Sequence, residues 1–336
     1  MIEALHHQSK LLWHTSNLYY SRAQEQYAEL LCKNTFAEKV FFTNSGAEAI
    51  ECGLKVIRSY NHYHRNSQKI NVITFEGAFH GRTFAAMSAQ MNKKYLDGFE
   101  PLLPGFIQAP FDDINKLEKI IDENSAAIMI ETIQGEGGVR PVPLLFLERI
   151  KNLCIKKNLI LFLDEVQSGF GRSGKLFSYQ WSNIEPDIMA VAKGIGSGFP
   201  MGACLTKKNA SIGMIKGKHG STFGGNPLAI AVGTAVIKKI ISKGFLDQVD
   251  NVAKYFWSEL ISLKNNFDEI QEVRGAGLLL GIKTKSENNK INKIFESKGL
   301  LALLAAENII RFAPPLIITK KEVDIAIKII KKTFSE

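Results

Sequence analysis

Asp164 and Lys193 are the two residues of this sequence whose types and spacing most clearly predict chemistry. Asp164 ends the apolar run Leu159–Leu163, and Lys193 lies in the turn Ala192–Gly194. A lysine amine can hold an aldehyde as a Schiff base, and a carboxylate can keep a ring nitrogen protonated so that the ring accepts electrons. These are the needs of pyridoxal phosphate. Either feature alone is also compatible with a helix cap or a solvated turn, so further motifs are needed.

Two segments predict a phosphate site made from backbone N–H groups. Asn44–Ala47 falls between a predicted strand and a predicted helix, where the N–H groups and the helix dipole attract anions. Gly220–Pro227 is a second flexible loop with hydroxyls ahead of a helix. A purely structural helix cap remains the alternative interpretation of the first segment.

Three further segments supply an aromatic ring, guanidinium groups and an acid. Glu76–Thr83 follows a predicted strand and contains Phe79 and Arg82, which suit a flat ring and a carboxylate respectively. Gly135–Gly138 carries Glu136, and the segment 311–315 begins with Arg311. Phe79 is equally compatible with a place in the core. We assign no proton transfer to His80, because a lysine amine already supplies that function.

The elements that position these residues alternate between strand and helix, which predicts a mainly parallel sheet covered on both faces. The predicted strands are Val40–Thr43, Ile70–Phe75, Ala126–Glu131, Leu159–Leu163, Ile188–Ala192 and Gly202–Thr206. The predicted helices are two stretches within residues 3–33, with Ser21 as a cap, then Ala47–Tyr60, Asp113–Glu123, Pro143–Lys157 and Pro227–Ser242. After about Lys243 the pattern changes and predicts a smaller α+β domain, which ends in a helix from Lys320.

Composition excludes several classes of protein. The 45% hydrophobic and 22% charged content is that of an ordinary globular protein. The net charge of +9 is spread along predicted helices, which favours a solvated basic surface over a nucleic-acid site. Nucleic-acid binding would require a steep salt dependence. The four cysteines include no CxxC pair, so we expect neither a disulfide nor a metal site. No apolar run reaches the roughly 18 residues of a membrane span, so we expect a cytoplasmic protein.

Six segments, taken together and in this order, resemble class III, fold type I pyridoxal-phosphate aminotransferases. They are Ser45–Ala49, Phe79–Thr83, Ile133–Gly137, Asp164–Arg172, Ala192–Gly194 and Gly220–Pro227. Within that family, the segments His14–Tyr20, Val273–Leu278 and Asn308–Pro315 are most similar to acetylornithine aminotransferases. The resemblance implies an α/β fold with a large cofactor-binding domain over residues 21–243 and a small domain over 244–336, preceded by a linker over 1–20.

The resemblance also implies a role for each matching residue. Lys193 would hold the cofactor, Asp164 would pair with the ring nitrogen, Gln167 would contact the ring hydroxyl, and Phe79 would stack on the ring. The cofactor-binding set is Ser45, Gly46, Ala47, Phe79, Asp164, Glu165, Val166, Gln167, Lys193 and Thr222, with Thr222 reaching the phosphate of the second subunit of a homodimer. The substrate-binding set is Arg82, Ser221, Glu136 and Arg311, with Glu136 adjusting the availability of Arg311.

The implied reaction transfers the amine of N2-acetyl-L-ornithine to 2-oxoglutarate. Ornithine, succinyldiaminopimelate and 4-aminobutyrate remain alternative donors. Family members begin several dozen residues earlier, whereas this sequence starts within what resembles their next helix. We therefore expect either a short form or a start placed at an internal methionine, and a non-catalytic cofactor-binding protein is the rival of a different class.

Overall fold

The computed structural model describes residues 1–335 and contains two main sheets and one short hairpin. The larger sheet has seven strands in the order β1-β9-β8-β7-β4-β2-β3, and the smaller has four in the order β10-β11-β13-β12. The strands are β1 Lys39–Thr43, β2 Asn71–Phe75, β3 Phe106–Ala109, β4 Ser125–Glu131, β5 Ile133–Gln134, β6 Arg140–Pro141, β7 Ile160–Asp164, β8 Ile188–Val191, β9 Gly202–Thr206, β10 Ile270–Ala276, β11 Leu279–Thr284, β12 Leu303–Ala305 and β13 Ile309–Phe312.

The helices lie around these sheets. They are α1 Ile2–Ser9, α2 Arg22–Lys33, α3 Gly46–Tyr63, α4 Phe84–Gln90, α5 Lys93–Leu96, α6 Ile114–Ile120, α7 Leu144–Lys157, α8 Pro227–Ile240, α9 Phe245–Asn266, α10 Asn288–Ser297 and α11 Lys320–Ser335. Ser21 caps α2, as predicted, by accepting a hydrogen bond from the N–H of Gln24.

The larger sheet is mainly parallel, which confirms the prediction. Strand β9 runs antiparallel to both of its neighbours, β1 and β8, and the pairings among β8, β7, β4, β2 and β3 are all parallel. The carboxyl ends of β2, β4, β7 and β8 therefore meet at one edge of the sheet. That edge is where open α/β sheets bind their ligands.

Alternating residues of the central strands build two cores, one on each face of this sheet. On β7, Leu161 and Leu163 belong to the core that includes α7 and α8, whereas Phe162 belongs to the core that includes α3 and α4. The ring of Phe162 lies so close to α3 that a Cβ at Gly53 would overlap it. Glycine at this position thus lets α3 approach the sheet closely and fixes where its amino end lies.

The smaller sheet is antiparallel and packs with α9, α10 and α11, which confirms the predicted small α+β domain. The domain boundaries at residues 20 and 243 stay predictions. The sequence analysis did not predict β3, a four-residue edge strand with Gly105 before it and Pro110 after it. Three of its four residues are only half-buried, so the apolar run that predicts an interior strand is missing. Within residues 1–335 no helix is long and apolar enough to cross a membrane.

Candidate active site

A cavity of about 910 Å³ lies at the carboxyl edge of the parallel strands. Asp164 ends β7 and is in register with Ala190 of the parallel strand β8, and Lys193 follows the end of β8. Both side chains line the cavity. The two groups thus come from the ends of neighbouring strands.

Asp164 is buried, at 4% exposure, and its two oxygens are held by hydrogen bonds. His80 Nδ1 lies 2.8 Å from Oδ2, and the Val166 N–H donates to Oδ1 over 3.0 Å. Burial alone would lower the pKa of His80, but the hydrogen bond and the charge of Asp164, with the charge of Glu131, raise it. The imidazole therefore donates to the carboxylate and fixes its orientation at the end of β7.

Lys193 begins a single 3₁₀ turn, Lys193–Ile195, with φ of 46°. A left-handed conformation at a residue with a side chain costs roughly 1–3 kcal/mol and is concentrated at functional sites. The side chain is exposed to the cavity rather than packed in the core. Partial burial by the cavity wall lowers the pKa of Lys193, and the charges of Asp164 and Glu131 offset part of that effect. A lowered pKa increases the fraction of neutral amine, which is the nucleophilic form.

The amino end of α3 forms another part of the cavity wall. The Ser45 side chain caps the helix by accepting a hydrogen bond from the N–H of Glu48, and Gly46 and Ala47 line the cavity. The first N–H groups of a helix have no partner within the helix and attract anions. A Cβ at Gly46 would lie 2.9 Å from a methyl carbon of Val166, so glycine allows this helix end to contact the residues after Asp164.

Arg311 reaches the cavity from β13 of the smaller sheet and is also buried, at 6% exposure. Its Nη1 donates to Glu136 Oε1 over 2.6 Å and to Gln167 Oε1 over 3.2 Å. The loop that carries Glu136 is joined to the small domain because the Ala306 N–H donates to the Glu136 carbonyl over 2.9 Å. A Cβ at Gly135 would overlap the Gln167 amide, so this glycine leaves room for the cluster. A charged arginine, a carboxylate and an amide are thus fixed together.

Phe79 lines the cavity and is half-buried, whereas Arg82 does not line it and is exposed. The Arg82 guanidinium lies 4.2 Å from the centre of the Tyr95 ring. Ser221 lies just behind the cavity wall, where its Oγ accepts a hydrogen bond from the Asn44 side chain over 3.1 Å. Thr222, the next residue, is exposed. One chain therefore does not bring these three polar residues onto the cavity.

Glu165 is directed away from the cavity, although the resemblance placed it with the cofactor. Its carboxylate accepts hydrogen bonds from the N–H groups of Ser178 and Tyr179 over 2.9 and 2.7 Å, and from the Ser168 hydroxyl. Burial raises the pKa of Glu165 to about 7. Glu165 therefore does not line the cavity, and its place in the cofactor-binding set stays a prediction.

Sequence reasoning missed two buried polar residues of this cavity. His80 was considered and left without a role, although it is the partner of Asp164. Glu131 was not considered, although it ends a predicted apolar strand as Asp164 does, and that same signal would have identified it. Glu131 is opposite Asp164 in the register of β4 and β7.

The residues present fit pyridoxal phosphate. The cavity brings together a lysine with a lowered pKa, a carboxylate oriented by a histidine, an aromatic side chain and the amino end of a helix. These are the groups that an aldehyde, a pyridine nitrogen, a flat ring and a phosphate require. Among residues 1–335 no group of three His, Cys, Asp or Glu side chains is arranged to hold a metal ion.

Comparison with known proteins agrees with this geometry. The family model for class-III aminotransferases matches residues 1–334. The acetylornithine aminotransferase of Mesorhizobium japonicum is 49% identical, over 98% of this chain and 83% of that relative. The acetylornithine aminotransferase of Stenotrophomonas maltophilia superposes with a TM-score of 0.86 at 35% identity, over 99% of this chain and 85% of that one. The ornithine aminotransferase of Toxoplasma gondii superposes with a TM-score of 0.95 at 31% identity, over 99% and 81% respectively. The chain therefore belongs to the class-III aminotransferases and is a pyridoxal-phosphate-dependent transaminase with the type I fold of that family.

Proposed function

We propose that this enzyme transfers the δ-amine of N2-acetyl-L-ornithine to 2-oxoglutarate, giving N-acetyl-L-glutamate 5-semialdehyde and L-glutamate, as a step of arginine biosynthesis. The observation that carries the proposal is the Arg311–Glu136 pair, whose 2.6 Å contact lies in the same cavity as Asp164 and Lys193. Relatives with this printed name, at 42–49% identity, support the choice of substrate. The cytoplasmic location stays a prediction.

The cofactor, when bound, supplies an electron sink for the carbon–hydrogen bond that is broken. Asp164, oriented by its hydrogen bond with His80, would hold the ring nitrogen of the cofactor. Phe79 supplies an aromatic face, Gln167 an amide for the ring hydroxyl, and Val166 apolar contact. Gly46 and Ala47, with Ser45 as the helix cap, present N–H groups to the phosphate. The preformed hydrogen bonds reduce the reorganisation that binding requires.

Lys193 Nζ is the proposed base and acid of the reaction. In its neutral form the Lys193 amine would take the proton from the substrate carbon that bears the amine, and the ammonium so formed would later act as the acid that gives a proton back. The lowered pKa suits this work, because a base is most effective when its pKa lies near the working pH. The amine donor and the keto acid use one cavity in turn, so ping-pong kinetics are expected.

Arg311 and Glu136 allow that cavity to accept two different substrates. With 2-oxoglutarate, the guanidinium binds the α-carboxylate, and Glu136 must release it. With the acylated amine, Glu136 keeps the guanidinium neutralised, which leaves room for an uncharged methylene chain. Discrimination between the two substrates thus depends on one charge-assisted hydrogen bond.

A homodimer is the arrangement that we propose for the remaining site residues. Arg82, Ser221 and Thr222 bind the substrate and the phosphate in the proposal, yet Arg82 and Thr222 are exposed in one chain and none of the three lines its cavity. Thr222 and the neighbouring Phe223, which is 57% exposed, would contact a second copy of the chain. Thr222 would then reach the phosphate site of that copy.

Initial rates with four amine donors test the substrate assignment. Purified enzyme with added cofactor and 2-oxoglutarate should give a kcat/KM for N-acetylornithine that exceeds those for ornithine, succinyldiaminopimelate and 4-aminobutyrate. Ornithine is the second candidate, because the Toxoplasma gondii ornithine aminotransferase superposes with the higher TM-score of 0.95. A higher kcat/KM for ornithine would replace the assignment. No turnover with any donor would indicate a non-catalytic cofactor-binding protein.

A further inference from the structure

Glu131 is a buried carboxylate in the cavity that the proposed mechanism does not use. It is 5% exposed, lines the cavity, and ends β4 opposite Asp164 on β7. An ionisable group is seldom fully buried unless its hydrogen-bonding capacity is used. The two partners of this carboxylate therefore indicate what it does.

Each oxygen of Glu131 holds a different loop. The Phe79 N–H donates to Oε1 over 2.7 Å, and the Gly135 N–H donates to Oε2 over 3.3 Å. The first loop carries the Phe79 ring, and the second carries Glu136, the residue that pairs with Arg311. The Glu131 side chain thus joins the loop of Phe79 to the loop of Glu136, the partner of Arg311.

The pKa of Glu131 depends on the charges of the ionisable groups around it. Burial raises the pKa of Glu131 to about 7, the charge of His80 lowers it, and the charge of Asp164 raises it again. Lys193 also feels the charge of Glu131. Protonation would convert one oxygen from an acceptor to a donor and would release one of the two loops.

We propose that Glu131 is a positioning residue that fixes Phe79 and Glu136 together, and so couples cofactor binding to recognition of the α-carboxylate of the keto acid. The part of this inference that concerns Glu136 and the keto acid rests on the proposed function. The part that concerns Phe79 and cofactor binding does not. Cofactor affinity reports on Phe79, and the KM for 2-oxoglutarate reports on Glu136. The two readouts are measured in separate assays.

The test compares Glu131→Gln with wild type in two assays. An amide has one oxygen, so it can hold one loop and must place an NH₂ group against the other N–H. We expect the cofactor dissociation constant, measured by visible titration of the apoprotein, or the KM for 2-oxoglutarate to rise about tenfold, the effect of losing roughly 1.4 kcal/mol. If the Gly135 loop is the one released, the KM for the keto acid should rise and the KM for the amine donor should change much less.

A second substitution separates positioning from general stability. If Glu131 acts through Glu136, the effect of Glu131→Gln on the KM for 2-oxoglutarate should disappear in a Glu136→Gln background, whereas independent effects would add. Asp187→Asn is the matched control. Its carboxylate also accepts a hydrogen bond from a strand N–H, that of Leu161 over 2.9 Å, but at the opposite edge of the sheet. It should lower Tm and leave both binding constants unchanged.

Three outcomes would overturn the proposal: unchanged affinity for cofactor and keto acid in folded Glu131→Gln, additive effects with Glu136→Gln, or the same changes in Asp187→Asn. If Glu131→Gln does not fold, Glu131→Asp keeps the charge but is one methylene too short to reach both loops, and the same shifts are expected. If wild type binds cofactor but turns over no amine, the proposed function fails, and the cofactor titration still decides the Phe79 half.

Discussion

Predicted site residues at the carboxyl edge of the central sheet and in the loop Gly220–Pro227 differ in their burial and in their hydrogen-bond partners. Asp164 at the sheet edge, and Arg311 that reaches the same cavity from the smaller sheet, are nearly fully buried, and each has charged or polar partners within 3.2 Å. In the loop, Thr222 is exposed, and Ser221 lies behind the cavity wall. One region is complete within a single chain. In the proposed dimer, the hydroxyls of the other region would meet their ligand across the subunit interface.

The difference indicates that the sheet edge and the surface loop have separate roles. Parallel strands end at the same edge, so Glu131 and Asp164 come together at the ends of β4 and β7, and Lys193 follows in the turn after β8. A loop on the surface can instead serve a neighbouring molecule. We therefore expect substitutions at the sheet edge to affect chemistry within each chain, and substitutions in the loop to affect a site across the proposed dimer.

The largest expected effect comes from the sheet edge. Lys193→Ala removes the amine that moves the proton, and turnover should fall about 10³-fold or more, in the range of a lost general acid–base group. Initial rates with N-acetylornithine and 2-oxoglutarate measure this. Lys290→Ala, an exposed lysine of α10 that pairs with Glu287, is the control and should retain wild-type rates. Near-normal turnover by Lys193→Ala would contradict the whole assignment.

The next effect tests how tightly the sheet edge is packed. The added methyl in Gly135→Ala would overlap the Gln167 amide and displace the group that holds Arg311, so kcat/KM for 2-oxoglutarate should fall about 10²-fold, the cost of a misplacement of about 1 Å. In a Gln167→Ala background the obstacle is absent, and adding Gly135→Ala should cost little more. Equal losses in both backgrounds would mean that the overlap is not the cause.

A smaller effect is expected from a substitution in the loop Gly220–Pro227. Thr222→Ala should weaken cofactor binding about tenfold, the worth of one hydrogen bond to a charged group. Mixed dimers of Thr222→Ala with Lys193→Ala provide the sharper measurement. If the loop acts across the dimer, one of their two sites is intact, and half of the sites should bind cofactor with wild-type affinity and turn over. No recovery would place Thr222 and Lys193 in the site of the same chain.

The smallest expected effect is a shift along the pH axis. Because the folded environment lowers the pKa of Lys193 from 10.5, its neutral amine is present at a lower pH than that of a free lysine. The rate at which the apoprotein captures cofactor, followed by visible absorbance, should therefore increase as pH rises. It should reach its maximum, and stop increasing, before the pH reaches 10.5. Capture that still accelerates through pH 10.5 would show that the cavity does not lower this pKa.

The contrast between the two regions also explains what the sequence could predict. Leu159–Leu163 followed by Asp164 identifies a buried strand and its terminal acid because apolar runs specify burial directly. The same signal was present at Glu131 and was overlooked. The buried hydrogen bonds of Glu165 with the N–H groups of Ser178 and Tyr179 could not be predicted from the strand pattern, because these partners follow later in the chain.

Other features depend on contacts that no local pattern contains. The pairing of Arg311 with Glu136 joins residues that are 175 positions apart in the chain. The strand Phe106–Ala109 is half-buried at a sheet edge and lacks an apolar run. Thr222 looks the same in sequence whether its loop serves its own chain or a second one. Such features are determined by tertiary packing, so they require the structure.

The most direct test of the central claim is the first half of the reaction. The chain is loaded with pyridoxal phosphate, and its visible absorption is recorded before and after addition of N-acetylornithine without any keto acid. We predict loss of the visible band of the bound cofactor and release of one equivalent of aldehyde for each site. A band that forms and then does not respond to the amine, or no band at all, would contradict the claim that this cavity catalyses transamination.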